Sequence, residues 1–336
     1  MLRLSIIIPV YNLESYISET LDSCLNQNIP HSDYEIICIN DGSKDRSAEI
    51  ICEYAKKHPN IRLFNQDNSG VSVARNKGLS LAGGRYIWFV DGDDLIASNC
   101  LSDLLNIVER DNIDILGIGM QSVSDRLPIE SSIGAVSVSD PDCDCVEFLS
   151  SKGGNGGGVC SQIYRAEILR DIRFTTEIKY SEDVLFSYKA AMSAKICAKT
   201  ESVLYFYYQR AGSAMHSQNH VKFIDSMHLL AQEYLSLADE EPEYRELSIS
   251  KKNFAVKALL FSLAQSGDVK ASRGWLQQLK AEGLYPFPLL WCSLKGNTTL
   301  KQALINYVSF LFPWKPYFML CVRLMSLKNK LRRKNI

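Results

Sequence analysis

Several features that would have set the class of this protein are missing from its sequence. It has ten cysteines, but none are spaced as C-x-x-C, and the closest pair is Cys143 and Cys145. That spacing excludes a zinc ribbon. Cys38 lies between Ile37 and Ile39, where a thiol behaves as a small hydrophobe. The cysteine pattern therefore argues against a disulfide framework and favours a reducing compartment. No stretch offers the roughly 18 uninterrupted apolar residues of a membrane span. The nearest approach, Val308 to Met325, is broken by Pro313, Lys315, Pro316 and Arg323. Charge of one sign is not in excess, because the formal net charge is −1, which gives no bulk attraction to nucleic acid. G-x-G-x-x-G does not follow the first apolar run, which argues against a dinucleotide-dependent oxidoreductase. No internal repeat is present.

What is present reads as an ordinary globular chain, 46% apolar and 22% charged over 336 residues. That length suffices for one large domain with an extension, or for two. Leu4 to Val10 holds three isoleucines in a continuous apolar run. It is too short for a secretory signal and suits a buried strand of a parallel sheet. Further strands are expected over residues 35–40, 61–64, 86–90 and 113–120. Helices are expected over 14–27, around 48–55, and over 69–81 and 98–110. This alternation predicts an α/β fold with a Rossmann-like, mostly parallel sheet flanked by helices. From 121 to 161 the pattern weakens, and Gly153 to Gly158 is glycine-rich enough for a break or a lid. Order returns over 162–208, and after Val221 the chain reads as helical, with Ile224, Met227, Leu230 and Tyr234 on one face. The division expected is 1–120, 121–220, and a helical extension over 221–336.

Ligands of such sheets bind at the carboxyl ends of the strands, and the unusual acids stand there. Asp91, Asp93 and Asp94 crowd after the fourth strand. Three carboxylates so close repel one another and are tolerated either as a solvated turn or around a hard cation such as Mg²⁺ or Mn²⁺. Asp41 ends the second strand. Its neighbours Ser43 and Asp45 suit a cap for the second helix, and an EF-hand reading fails because Cys52 stands where glutamate is needed. Arg75 precedes the fourth strand. Glu182 and Asp183 open an apolar helical run, which is also how an ordinary helix N-terminus looks.

Taken in order, Leu4-Ser5-Ile6-Ile7-Ile8-Pro9-Val10-Tyr11-Asn12, Asn40-Asp41-Gly42-Ser43, Ala74-Arg75-Asn76, Asp91-Gly92-Asp93-Asp94 and Glu182-Asp183 resemble the inverting family-2 glycosyltransferases of the GT-A fold, over about residues 4 to 215. The combination is specific, although no single piece is. The resemblance implies transfer of a hexosyl or N-acetylhexosaminyl group from a nucleotide diphosphate, UDP in first place, to an acceptor hydroxyl, in cell-surface polysaccharide synthesis. It places Pro9 and Tyr11 at the nucleobase, Asp41 on the N3–H of uracil, Arg75 near the base or diphosphate, and Asp91 on ribose. It makes Asp93 the ligand of Mg²⁺ or Mn²⁺, and Asp183 the catalytic base. Arg210 and His216 are assigned to the diphosphate and the metal. Gly92 departs from the family, which often carries another small residue there.

The remaining expectations concern partners. Trp291, Phe310, Phe312, Trp314, Tyr317 and Phe318 precede a terminal cluster of five Lys or Arg between Lys328 and Ile336. Aromatic and basic residues together suit an anionic membrane surface, while the plainer alternative is a helical subdomain packed on itself. A saccharide or lipid-linked acceptor, a cytoplasmic location at the inner face of the membrane and no nucleic-acid partner follow from this reading. The competing functions are a sugar nucleotidylyltransferase, which would need a glycine-rich basic loop where Tyr11 to Ser15 stand, and a non-catalytic nucleotide-sugar-binding protein.

Overall fold

The computed structural model describes residues 2–124, 133–134, 136–138, 145–146, 158–209, 220–285 and 318–326. The chain divides into two compact units, Met1–Thr176 with Ser181–Ser213, and Glu177–Tyr180 with Ala214–Ile336. The first unit contains β1 (Leu4–Val10), α1 (Ile17–Leu25), β2 (Tyr34–Asp41), α2 (Ser47–Lys57), β3 (Ile61–Gln66), α3 (Val71–Leu81) and β4 (Tyr86–Phe89). It continues with β5 (Leu95–Ile96), α4 (Leu101–Arg110), β6 (Ile115–Val123), β7 (Val136–Val138), β8 (Gln162–Arg165), α5 (Glu182–Met192) and β9 (Cys197–Tyr208).

These strands form one sheet in the order β3-β2-β1-β4-β8-β6-β9-β5, with β7 beside β9. β1 pairs in parallel with β2 and β4, β2 with β3, and β6 with β9. β8 runs antiparallel between β4 and β6, and β5 and β7 run antiparallel to β9. The expected α/β fold is present, but its sheet is mixed: β3-β2-β1-β4 is the parallel part the sequence showed, and the antiparallel pairings made beyond it by β8, β5 and β7 equal the parallel ones in number. Every residue of β1 and β2 is buried. Both faces of these strands are thus covered, which is why they read as unbroken apolar runs rather than alternating ones. The register Ile8↔Cys38, Pro9↔Ile39 and Val10↔Asn40 brings the polar ends of β1 and β2 out side by side.

Element ends differ from expectation where local backbone decides. α1 begins at Ile17, after a turn in which the Tyr16 and Ile17 amides both bond the Leu13 carbonyl. α3 begins at Val71 because Gly70 has φ +94° and ψ 161°, outside the helical region. Ser43 does not cap α2. Its Oγ accepts the Asn12 amide, while Asp45 Oδ1 takes the Ser47 amide at the start of the helix. No disulfide framework is present among the described residues, but one pair, Cys145 and Cys197, is joined, with Cα atoms 5.7 Å apart. The partners lie 52 residues apart in the chain and are brought together by tertiary structure, so spacing alone did not show them. Residues 153–157 of the expected lid lie outside the described residues.

Among the described residues the second unit is helical, as expected after Val221: α6 (His220–Glu240), α7 (Arg245–Ser266), α8 (Val269–Ala281) and helical residues 318–326. Ile224, Met227, Leu230 and Tyr234 form the buried face of α6. His228 bonds Glu282 and packs edge-on against Trp275, and His220 bonds Ser262. Phe318 is fully buried, so it does not belong with a membrane-facing set. No helix among the described residues is long and apolar enough to cross a membrane. Trp291, Phe310, Phe312, Trp314, Tyr317 and the basic cluster lie outside the described residues.

One crowded point matters for the site that follows. The β6–β9 register slips on both sides of Gly119. A Cβ at Gly119 would sit 2.7 Å from the carbonyl oxygens of both Glu201 and Ser202. Gly119→Ala must push β9 away, at a cost of about 1–3 kcal/mol. Urea unfolding should show a lower midpoint, and an unchanged midpoint would contradict this packing.

Candidate active site

The acidic turn after β4 is built as a rigid loop. The Asp94 amide bonds the Asp91 carbonyl at 3.0 Å, closing the turn, and Thr20 Oγ1 donates to the Gly92 carbonyl at 3.0 Å. Gly92 is packed tightly, since a Cβ there would lie 2.8 Å from Leu13 Cδ1 and 3.2 Å from the Pro9 carbonyl oxygen. Another small residue at this position would have to displace Leu13. Asp94 is 1% exposed. Its Oδ2 accepts from the Tyr205 hydroxyl at 2.5 Å, and its Oδ1 from the Tyr208 amide at 2.9 Å. Burial, with Asp91 and Asp93 nearby, pushes the Asp94 carboxyl up to about 8. Asp94 is thus a buried strut. Asp91 and Asp93 are both partly exposed, and the Asp91 side chain keeps 36% of its surface in solvent.

Arg75 joins this turn to α5. It stands on α3, 5% exposed, and its Nη2 donates to Asp91 Oδ1 at 2.8 Å while Nη1 donates to Glu182 Oε1 at 3.1 Å. The Phe174 ring lies 5.4 Å from the guanidinium carbon, and Asn76 pins Phe174 in place through both its backbone N–H and its carbonyl. Burial opposes the Arg75 charge, but Asp91, Glu182 and Asp183 outweigh it and keep the group protonated. Arg75 Nε is buried and has no hydrogen-bond partner among the described residues. A buried N–H is seldom left unpaired, so this one points to a missing acceptor.

Glu182 and Asp183 open α5 as the sequence pattern suggested, and the entry to the helix is strained. Ser181 holds φ +63°, the left-handed region, with no side-chain cap bond. Single residues held in such conformations cost on the order of 1–3 kcal/mol and cluster at functional sites. Burial raises the Glu182 carboxyl to about 7 against the pull of Arg75. Burial also raises the Asp183 carboxyl, again opposed by Arg75. Asp183 Oδ1 accepts the Val184 amide at 2.9 Å. Its Oδ2 faces Gly158, where an added Cβ would stand 3.5 Å away in ordinary contact.

Asp41, 4% exposed at the end of β2, organises the loop into α3. Its Oδ1 accepts from Gln66 Nε2 and the Ser69 amide, and Oδ2 from the Gly70 amide, each at 2.8 Å. With two lone pairs per oxygen, Oδ2 keeps capacity for one further donor. Pro9 is buried at the end of β1, and the Tyr11 ring just beyond it is 48% exposed. Asn12 ties this end to the next loop, its Oδ1 accepting the Lys44 amide at 2.8 Å.

The structure therefore brings Arg75, Asp91, Glu182 and Asp183 into one charged cluster beside Asp93 and Asp94, and sets Asp41, Pro9 and Tyr11 at the neighbouring strand ends. Arg210 and His216 lie outside the described residues. Sequence reasoning missed Tyr205 and Gly158. Tyr205 belongs to a run of four aromatics, 205–208, of the kind any packed strand shows, and Gly158 ends a glycine-rich run. Among the described residues no three His, Cys, Asp or Glu side chains are arranged to hold a metal by themselves. The donors at Asp91 and Asp93 are all oxygen, however, and Mg²⁺ or Mn²⁺ commonly takes one or two carboxylates and completes its shell with phosphate oxygens and water. The residues fit a cation that arrives with a diphosphate.

Residues 5–132 match the family model described as glycosyl transferase family 2. The chain is 36% identical over 214 residues to EpsJ of Bacillus subtilis, described as an uncharacterized glycosyltransferase, covering 62% of each protein. It is 30% identical over 254 residues to the poly(ribitol-phosphate) beta-N-acetylglucosaminyltransferase TarS of Staphylococcus aureus, covering 73% of this chain and 43% of that protein. The chain thus spans less than two thirds of the length of these relatives. The solved structure of S. aureus TarS 1–349 in complex with UDP superposes with a TM-score of 0.58 at 22% identity, covering 100% of this chain and 92% of that chain. The expected GT-A fold stands on this likeness.

The raised carboxyls set a pH dependence. Asp94 and Glu182 each hold a proton to higher pH in the folded chain than in the unfolded one. Between the ordinary carboxylate range and about pH 8 the folded state binds more protons, so stability from this source falls as pH rises. The melting temperature of the metal-free protein should drop across that window, and the drop should shrink in the double variant Asp94→Asn with Glu182→Gln. A profile that rises from about pH 5 to about pH 8 would contradict the burial of these acids.

Proposed function

Because residues 5–132 are a glycosyl transferase family 2 domain, we propose that the chain transfers a hexosyl or N-acetylhexosaminyl group from a nucleotide diphosphate to an acceptor hydroxyl with inversion. The observation that carries this reading is the state of Asp183. It is a half-buried carboxylate whose pKa desolvation raises, beside Arg75, and its Oδ2 takes no hydrogen bond among the described residues. Nearby acids are committed elsewhere, Glu182 to Arg75 and Asp94 to Tyr205. A general base works best with a pKa moved toward neutrality and an oxygen open to the proton it removes.

In the proposed reaction the acceptor oxygen attacks the anomeric carbon as its proton passes to Asp183 Oδ2. The bond from that carbon to the diphosphate breaks on the opposite face, so one in-line displacement inverts the centre and needs no protein nucleophile. A divalent cation bound with the diphosphate would neutralise the charge that collects on the leaving group. Asp93 would hold that cation, with Asp91 beside it or on the ribose. Arg75, held beside Asp91, adds a fixed positive charge to the side of the turn where the diphosphate would lie. Tyr11 offers its exposed ring to the nucleobase, and the remaining lone pair of Asp41 Oδ2 suits the N3–H of uracil. UDP is therefore the nucleotide proposed, in keeping with the UDP held by the TarS structure. Arg210 and His216 are assigned to the diphosphate and the metal on the sequence pattern. The acceptor proposed is a saccharide, polymeric or lipid-linked, at the cytoplasmic face of the cell membrane.

A thermal-shift series with nucleotide diphosphates, with and without Mn²⁺, tests the donor site. UDP with Mn²⁺ should stabilise most, and Asp93→Ala should remove the Mn²⁺-dependent part. A larger shift with NAD would end the reading. For the base, Asp183→Asn should keep UDP affinity while losing about 10²–10⁴-fold in transfer rate. Transfer at the wild-type rate would show that the proton goes elsewhere.

A further inference from the structure

The geometry points to Tyr205 as a positioning residue that holds the Asp91–Asp94 turn in the shape that receives a divalent cation with a nucleotide diphosphate. The inference rests on the donor-site reading above and goes beyond it, since Tyr205 lies on β9, a strand the motif pattern does not include. Its side chain is fully buried, and a single phenol oxygen makes contacts at both ends of the turn. It accepts the Asp91 amide at 3.1 Å and donates to Asp94 Oδ2 at 2.5 Å. Asp93 lies between these two anchors. A second contact from β9, the Tyr208 amide on Asp94 Oδ1 at 2.9 Å, holds the same carboxylate from its other oxygen. Beyond the turn the chain runs directly into β5, which pairs with β9 through Leu95↔Phe206 and Ile96↔Tyr205. The turn is thus framed from β9 at its first residue, its last residue and its exit.

Such framing bears on cation binding because Asp91 and Asp93 are too few to enclose an ion. Their affinity for it depends on how closely their oxygens are pre-set to its octahedral shell, and Mg²⁺ and Mn²⁺ tolerate little error there. Residues that orient ligands through hydrogen bonds without touching the metal typically contribute 10–100-fold to metal affinity. Tyr205→Phe keeps the ring and its packing while deleting both anchoring bonds. A purely structural tyrosine would lower the melting temperature and leave cation dependence alone. A positioning tyrosine shifts the cation dependence.

The test titrates the full chain with UDP at a series of Mn²⁺ concentrations, reading binding by calorimetry. Tyr205→Phe should raise the half-saturating Mn²⁺ concentration by about tenfold or more, while UDP affinity without Mn²⁺ stays within about twofold of wild type. Asp94→Ala removes the acceptor of the same contact from the other side and should shift half-saturation in the same direction. It also decides the matter should Tyr205→Phe fail to fold. An unshifted half-saturation in whichever of these variants folds overturns the inference, provided the wild type shows Mn²⁺-dependent UDP binding. If the wild-type chain shows none, the donor-site reading itself fails, and this inference fails with it.

Discussion

A guanidinium with 5% of its surface in solvent does not stay in a protein interior without compensation. Arg75 is compensated by Asp91, 16 residues along the chain, and by Glu182, 107 residues away. The loop after β4 and the start of α5 are therefore held to one charged group on α3. Removing Glu182 leaves the guanidinium to the partly exposed Asp91 alone, and removing Asp91 leaves it to Glu182 alone, so each loss weakens the compensation of a buried charge. The geometry of the candidate site thus follows from an electrostatic requirement of the fold. Asp183 is placed because its neighbour Glu182 cannot leave Arg75.

The same requirement explains why so many carboxylates converge without repelling the site apart. Asp41 accepts from two backbone N–H groups and a side-chain amide, Asp94 from a phenol and a backbone N–H, and Glu182 and Asp91 from the Arg75 guanidinium. The two bonds to Arg75 are of the charge-assisted kind, among the stronger ones available to a folded chain. Each acid is committed at one oxygen or both, and the commitments differ in what they leave over. Asp94 has a partner at each oxygen and acts as scaffold. Asp41 retains one lone pair. Asp183 retains an oxygen with no partner among the described residues, next to Gly158, where the absence of a side chain leaves room.

How much of this was legible in the sequence depends on the range of the interaction. β1, β2 and β4 were readable because a strand buried on both faces must be apolar throughout, and the acids at the ends of β2 and β4 stood out as polar residues that burial alone would not have chosen. The helical character of 220–285 was readable from the spacing of Ile224, Met227, Leu230 and Tyr234. Boundaries set by one backbone angle, such as Gly70, were not. Neither was the division of labour among the acids. Asp91, Asp93 and Asp94 look alike in sequence, and only Tyr205, 111 residues from Asp94, makes the last of them a strut. Tyr205 itself hides in an aromatic alternation that any packed strand would show. The Cys145–Cys197 bridge was hidden for the same reason, because no local pattern encodes which residues β9 will lie beside.

That β9 governs the turn also bears on how a shared scaffold could accept different donors and acceptors. The strand-end acids sit on β2 and β4, in the part of the chain that matches the family model, residues 5–132. Some residues that stand beside them, Tyr205, Gly158 and Glu182, lie beyond residue 132, while Thr20, Gln66, Ser69, Gly70 and Arg75, which also hold them, lie within it. A change at Tyr205 or Gly158 can re-aim the Asp91–Asp94 turn, or narrow the space beside Asp183, without altering any of these acids. Where reacting groups must be held against one another, a misplacement of about 1 Å can cost about a hundredfold in rate. The placement of the strand-end acids in this chain is thus set partly from outside the segment that matches the family model, by β9 and by the start of α5.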